Sequence, residues 1–287
     1  MAFDQILFEL LNGVVWGLIL SIIALGLGLI YGLMGIINLA HGSLYMAGAM
    51  CAALLINRAG LDFWLVLPIA AVAVGLLTLA LNTAIFERVL HRDPAVGLLA
   101  TAGVFLTLDN TVLALAGADP QSVMPPIFDV LEFAGIYYPV YRLVAAGIAL
   151  LTLIAVALFL RFTRYGLWMR AVPQARDLAA VTGIPILKVN AITAALAGLT
   201  AGLAGALATP ISGAHFQMGL SVIAACFIVV VIGGMGNLWG AVVVAIALGL
   251  IRGLYSTVLS PTWSEVAAFS TLLCVIYFKP NGIFGRR

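Results

Sequence analysis

Two long stretches of this chain carry no charged residue at all. Between Glu9 and Arg58, and again between Lys188 and Arg252, no Asp, Glu, Lys or Arg interrupts the apolar run. A bilayer core of about 30 Å needs about 20 apolar residues per helical crossing. The runs do not alternate with the period of two that a barrel strand requires. The pattern therefore predicts membrane helices near 10–32, 36–56, 63–86, 95–117, 139–160, 189–208, 220–234, 238–257 and 264–278, the last one short. A Gly-rich break separates the first two, so a second threading has eight crossings, with one of these segments only dipping into the membrane. The main polar interruptions are the cluster Glu87, Arg88, His91, Arg92, Asp93, Pro94, an acidic and Pro-containing loop over 119–132, and the stretch 161–188, which reads as a loop holding its own short helix.

Composition strengthens the membrane reading. Of the 287 residues 64% are hydrophobic and 8% charged, against about 25% charged in ordinary soluble domains. With hydrocarbon as solvent, every backbone N–H and C=O must be satisfied within the protein, and long unbroken runs do this as helices. The expectation is a single all-α polytopic domain over 1–287, with about eight or nine transmembrane helices, some of them Gly-interrupted.

Charge then orients it. The net charge of +2 arises from 13 basic and 11 acidic residues, too scattered for a nucleic-acid partner. Most of the basic residues, Arg88, Arg92, Arg161, Arg164, Arg170, Arg176, Lys188, Lys279, Arg286 and Arg287, fall on one side when nine crossings are threaded in order. Loops retained in the cytoplasm are enriched in Lys and Arg, so that side is expected to be cytoplasmic. The acidic loop and the N-terminus, with Asp4 and Glu9, then lie outside. The N-terminus lacks the basic region of a cleavable signal peptide, and its apolar run is expected to stay as a membrane helix. Cys51, Cys226 and Cys274 are far apart in apolar runs and imply neither disulfide nor metal site.

Two Gly-rich interruptions hold polar residues, Gly32 to Gly42 with Asn38 and His41, and Gly233 to Gly240 with Gly236 and Asn237. Broken backbone at membrane depth is tolerated where it lines a cavity or is buried in protein, so matched breaks often mark a pathway. The competing reading is close helix packing, as at the four-residue spacings Gly28/Gly32, Gly198/Gly202 and Gly249/Gly253. Asp109 stands as an intramembrane acid, Arg252 and Glu265 near the outer ends of the last two crossings, and His215 as surface decoration in an outer loop. The phosphate-loop, zinc-protease and nucleophile-elbow patterns are missing, so the chain is expected to be no enzyme and to hold no cofactor of its own.

Within the longest polar stretch, Pro173 suits a helix start and Gly183 a helix C-cap. Ala175, Leu178, Ala179 and Thr182 share one face of the intervening helix, and Arg176 and Asp177 point elsewhere. The reading is either an amphipathic connector or a docking helix for a cytoplasmic partner.

The segments Ile36-Ile-Asn-Leu-Ala-His-Gly-Ser-Leu-Tyr-Met-Ala-Gly48, Arg170-Ala171 through Asp177, Ala180 and Gly183-Ile184, Val231-Ile-Gly-Gly-Met-Gly-Asn-Leu-Trp-Gly-Ala241 and Lys279-Pro-Asn-Gly-Ile-Phe-Gly285 together resemble the membrane permease subunits of branched-chain amino-acid ABC importers, over nearly the whole chain. The resemblance implies a multi-pass permease of a bacterial inner membrane that works by alternating access. It implies a second related permease as partner, two cytoplasmic ATPases that bind ATP and Mg, and a periplasmic solute-binding protein. The pathway residues it implies are Asn38, His41, Ser43, Gly233, Gly236 and Asn237. The ATPase-coupling residues are Arg170, Ala175, Arg176, Asp177, Leu178, Ala179 and Gly183. The chain departs from the family at Ser43 and Arg252, where relatives often carry an acidic residue, and permeases for urea, short amides or carboxylates stay open as alternatives. So does a self-sufficient ion-coupled transporter, for which Asp109 would be the single intramembrane acid.

Overall fold

The computed structural model describes the chain except for residues 1, 2, 91, 134, 235, 280, 281 and 285–287. Parts of both Gly-rich and C-terminal motifs, namely Met235, Pro280, Asn281, Gly285, Arg286 and Arg287, and His91 of the polar cluster, lie outside the described residues. The described fold is helical apart from one hairpin. In order it runs α1 (Phe3–Met34), α2 (His41–Ala59), α3 (Phe63–Leu81), a π-helical turn (Asn82–Phe86) into α4 (Glu87–Val89), α5 (Pro94–Ala116), β1 (Val130–Phe133), β2 (Ile136–Pro139), α6 (Val140–Phe162), α7 (Arg164–Ala171), α8 (Arg176–Val181), α9 (Ile186–Ser212), α10 (Met218–Gly233), α11 (Leu238–Ser256) and α12 (Pro261–Phe278). Six helices are long and apolar enough to cross a membrane, those starting at Asp4, Phe63, Pro94, Val140, Ile186 and Leu238, and α10 and α12 are shorter apolar helices. The protein is an integral, multi-pass membrane protein.

Local chemistry starts several helices where apolar pattern alone could not. Asp62 accepts the Trp64 amide at 2.9 Å ahead of α3, and Asp93 accepts the Ala95 amide at 2.8 Å with Pro94 in the first turn of α5. Both satisfy helix-terminal N–H groups that would otherwise lack partners.

In lipid there is little hydrophobic gain from bringing helices together, so small residues that let backbones touch carry the packing. The seam between α1 and α11 is made that way. A Cβ at Gly249 would fall on the Gly13 carbonyl and against Gly17, and one at Gly253 on the Glu9 carbonyl. The two helices run antiparallel, and Ser21 Oγ also reaches the Val242 carbonyl at 3.3 Å. Gly198 and Gly202 of α9 receive Thr78 and Val74 of α3, and Gly205 receives the Tyr45 carbonyl of α2. The four-residue glycine spacings at 198/202 and 249/253 are thus packing surfaces. Within α1, 89% of the apolar window is buried, against 11% for α5. The first helix of the chain is its innermost one.

The hairpin β1–β2, with Val130 opposite Pro139 and Phe133 opposite Ile136, lies in what the hydrophobic pattern shows only as a loop. It sits over the start of α1, where Tyr138 meets Phe8 edge-on with ring centroids 5.4 Å apart. Loop contacts at the same end include Gln121 with Ala214 and Asn57 Nδ2 with the Ser122 carbonyl at 3.1 Å. The segments threaded to the outer side therefore cluster together. At the opposite end stand α4, the end of α6, α7 and α8.

Candidate translocation pathway

The chain leaves α1 at Met34, turns at Gly35 (φ 67°) and runs without helical structure to Ala40. It does not stay at the surface. Thr101 of α5 donates its hydroxyl to the Ile37 carbonyl at 3.0 Å, and His41 Nε2–H donates to the carbonyl of Ile23, well inside α1, at 3.0 Å. The second predicted crossing thus begins as an extended stretch over 35–40 that re-enters the interior, and its helix, α2, starts at His41. Gly42 lies on the Gly219 carbonyl at the start of α10, so two helix N-termini meet there.

Asn38, His41 and Ser43 are completely buried at this break. Ser43 Oγ donates to Asp109 Oδ1 at 2.6 Å, tying α2 to the buried carboxyl of α5. The bond from His41 Nε2 leaves Nδ1 for a further partner. Neither it nor the Asn38 amide has a hydrogen-bond partner among the described residues. Buried polar groups are costly when unpaired, so this cluster holds hydrogen-bonding capacity that the fold itself does not consume.

Above it, toward the hairpin end, opens a cavity of about 740 Å³. Its rim carries charges of both signs. Arg252 stacks on Trp16, 4.6 Å from the ring centroid, and reaches 4.0 Å from Glu265. Arg142 and the Tyr138 hydroxyl both donate to Asn12 Oδ1, the latter at 3.1 Å, and Ser256 Oγ donates to Glu9 at 2.9 Å. Burial raises the Tyr138 phenol above its ordinary pKa against the opposing pull of Arg142, which keeps it a donor. Deeper, the walls become apolar, with Ile19, Ile23, Tyr45, Met218 and Val222. Arg252 stands in the last turns of α11 and Glu265 in the first turns of α12, both at the hairpin end. His215 is not surface decoration: half-buried, it lines this cavity.

The second Gly-rich break has a different setting. Gly233 and Gly240 press on one another at the junction of α10 and α11, and Gly236 takes φ 89° with open space around it. Asn237 caps α11 by accepting the Gly240 amide at 3.1 Å, and its Nδ2 donates to the Phe284 carbonyl at 3.1 Å. It is half-buried at the basic end, by a second cavity, and is not brought together with Asn38 and His41.

The polar stretch 161–188 contains two short helices. Thr163 Oγ1 accepts the Gly166 amide at 3.0 Å to start α7, which carries Arg170. Pro173 stands in the turn after α7, so α8 starts at Arg176, with Ala175 as its N-cap, and carries Asp177. Gly183 (φ 82°) ends it, with the Ile184 amide bonded to the Ala179 carbonyl at 3.0 Å. The expected small face is divided. Ala179 is 5% exposed and packs into its own protein, whereas Leu178 is 68% and Val181 86% exposed. In a helix of this length, only the side turned from the bundle is free to meet anything else, so Ala179 is corrected from an outward contact to an inward one.

Sequence reasoning missed the rim residues Glu9, Asn12 and Arg142. Their one local signal is a polar residue near the end of an otherwise apolar run.

A family model described as "Branched-chain amino acid transport system / permease component" matches residues 9–276. The chain is 28% identical to the high-affinity branched-chain amino acid transport system permease protein LivH of Escherichia coli, over 99% of this chain and 97% of that one. It is 28% identical to BraD of Pseudomonas aeruginosa, over 97% and 95% of the two chains. LivM of Escherichia coli also matches at 28%, over 93% of this chain and 68% of LivM. Among solved structures, PsaBC from Streptococcus pneumoniae in complex with Fab resembles the backbone with a TM-score of 0.53 at 15% identity, covering 94% of this chain and 91% of that one. At that identity the likeness concerns the fold alone.

Proposed function

The chain belongs to the family of branched-chain amino acid transport permease components, and from that membership we propose that it forms half of the translocation pathway of an ATP-driven importer for branched-chain or related amino acids. One observation carries the reading to the residues. The cavity at the hairpin end has Arg252, Arg142, Glu9 and Glu265 at its rim and aliphatic side chains below. A zwitterion with an apolar side chain matches both parts, since its carboxylate and ammonium need opposite partners and its side chain needs none. The buried break at Asn38, His41 and Ser43 lies further along the same route.

Alternating access would carry the solute past Ile23, Tyr45 and Met218 when α10 moves against α1. Helix N-termini meeting at the break supply N–H groups for a carboxylate on the way. The hairpin end faces the periplasm in this reading and the basic end the cytoplasm, in a bacterial inner membrane. A solute-binding protein docks on the first. Two ATPases that bind ATP and Mg dock on the second, against Leu178 and Val181 of α8, with Arg176 and Asp177 beside them. Similarity to both LivH and LivM supports a second, related permease as the other half.

The test is reconstitution with the partner subunits and uptake of labelled leucine. ATP-dependent uptake that isoleucine and valine compete for, and urea or acetamide does not, is the expected outcome. Uptake by the chain alone, driven by an ion gradient, would replace this reading with a self-sufficient secondary transporter. Leu178→Arg should abolish co-purification with the ATPases without lowering the yield of the permease; retained co-purification removes α8 from the coupling surface.

A further inference from the structure

The second cavity, about 1020 Å³, opens at the basic end between α6 and α11, with Leu25 of α1 at its back. Its chemistry differs from that of the outer one. Arg161 and Arg170 line it, and no acidic residue does. Among the described residues neither arginine forms a salt bridge, and Arg161 lies over the Phe162 ring, 5.4 Å from its centroid. The rest of the lining is mostly apolar. Leu158 is 50% and Trp239 62% exposed. α6 and α11 are long and apolar enough to cross a membrane, and Arg161 is one residue from the end of α6, so in a bilayer this apolar lining would stand beside acyl chains with the guanidinium groups at the headgroup level.

A zwitterionic solute finds no partner here for its ammonium, and a small soluble anion gains nothing from the apolar walls. A phosphodiester bearing acyl chains satisfies both. Guanidinium groups bind phosphate oxygens through paired N–H donors, basic pockets between transmembrane helices suit anionic headgroups, and an indole such as Trp239 favours the boundary between the two zones. We propose that this crevice is a binding site for one anionic phospholipid, with Arg161 and Arg170 on its phosphate and an acyl chain along Leu158 toward Leu25. The inference rests on charge and exposure at the basic end and is independent of which solute the protein carries.

The experiment uses the assembled transporter in nanodiscs, with dibromo-acyl phosphatidylglycerol or dibromo-acyl phosphatidylcholine as quencher. The Trp239 contribution is obtained by subtracting the emission of Trp239→Phe. Phosphatidylglycerol should quench Trp239 at much lower mole fraction than phosphatidylcholine, by roughly fivefold per arginine. Arg161→Gln with Arg170→Gln should make the two lipids equivalent, and the paired Lys substitutions, which keep the charge, should preserve most of the preference. Equal quenching by both lipids in the wild type overturns the proposal. So does the absence of Trp239 quenching by either, which would mean that protein covers the crevice. Abolition of the preference by inorganic phosphate at constant ionic strength would reassign the arginines to a free anion and equally overturn it.

Discussion

The two Gly-rich breaks look alike in sequence and have opposite surroundings. Gly32 to Gly42 doubles back into the bundle and places Asn38 and His41 where no solvent reaches them. Gly233 to Gly240 stays at the basic end, where Asn237 caps a helix and holds Phe284 of the tail. Glycine content marks where the chain stops being helical; depth is decided by what receives the loosened backbone. Thr101 and the α1 interior receive the first break, and the tail receives the second.

Three substitutions test that contrast. Gly42→Val should be the most damaging, because its Cβ would overlap the Gly219 carbonyl, and overpacking against backbone costs about 3 kcal/mol. A large drop in detergent Tm and in folded yield is expected. A well-folded Gly42→Val protein would show that the α2–α10 contact is loose. His41→Leu removes the donor to Ile23 but fills similar space. Leucine uptake by the reconstituted transporter should fall at least about tenfold, equivalent to about 1.4 kcal/mol, at unchanged yield. Wild-type uptake would reduce His41 to a packing residue and remove the functional half of the comparison. Asn237→Ala deletes a helix cap worth about 1 kcal/mol and frees the tail. Tm should fall slightly and uptake by no more than about fivefold, the scale that a loss of about 1 kcal/mol allows. A transport defect as deep as that of His41→Leu would make the two breaks functional equals after all.

The helices were legible because hydrocarbon thickness sets a length that charge-free runs either meet or do not. The positions of Arg252 and Glu265 near helix ends followed from the same count. The hairpin did not, since Val130 to Pro139 is short and flanked by prolines and acids that read as loop. Nor did the start of α2, because helix and re-entrant extended chain are equally apolar; only the Thr101 and Ile23 contacts distinguish them, and those come from distant segments. Periodicity placed Ala175, Leu178 and Ala179 together but could not say which of them the bundle would claim. The cavity rim is the extreme case, assembled from Glu9, Arg142, Arg252 and Glu265 of four separate helices.

The glycine seam between α1 and α11 has a consequence for biogenesis. During synthesis α1 enters the membrane well before α11, the helix it packs against through this seam. Until α11 arrives, Gly13, Gly17 and Ser21 have no opposing backbone, and the helix destined for the centre of the bundle faces lipid or the insertion machinery. A chain truncated before Leu238 would leave that seam open, exposing on α1 a stripe of small residues that the finished permease never presents.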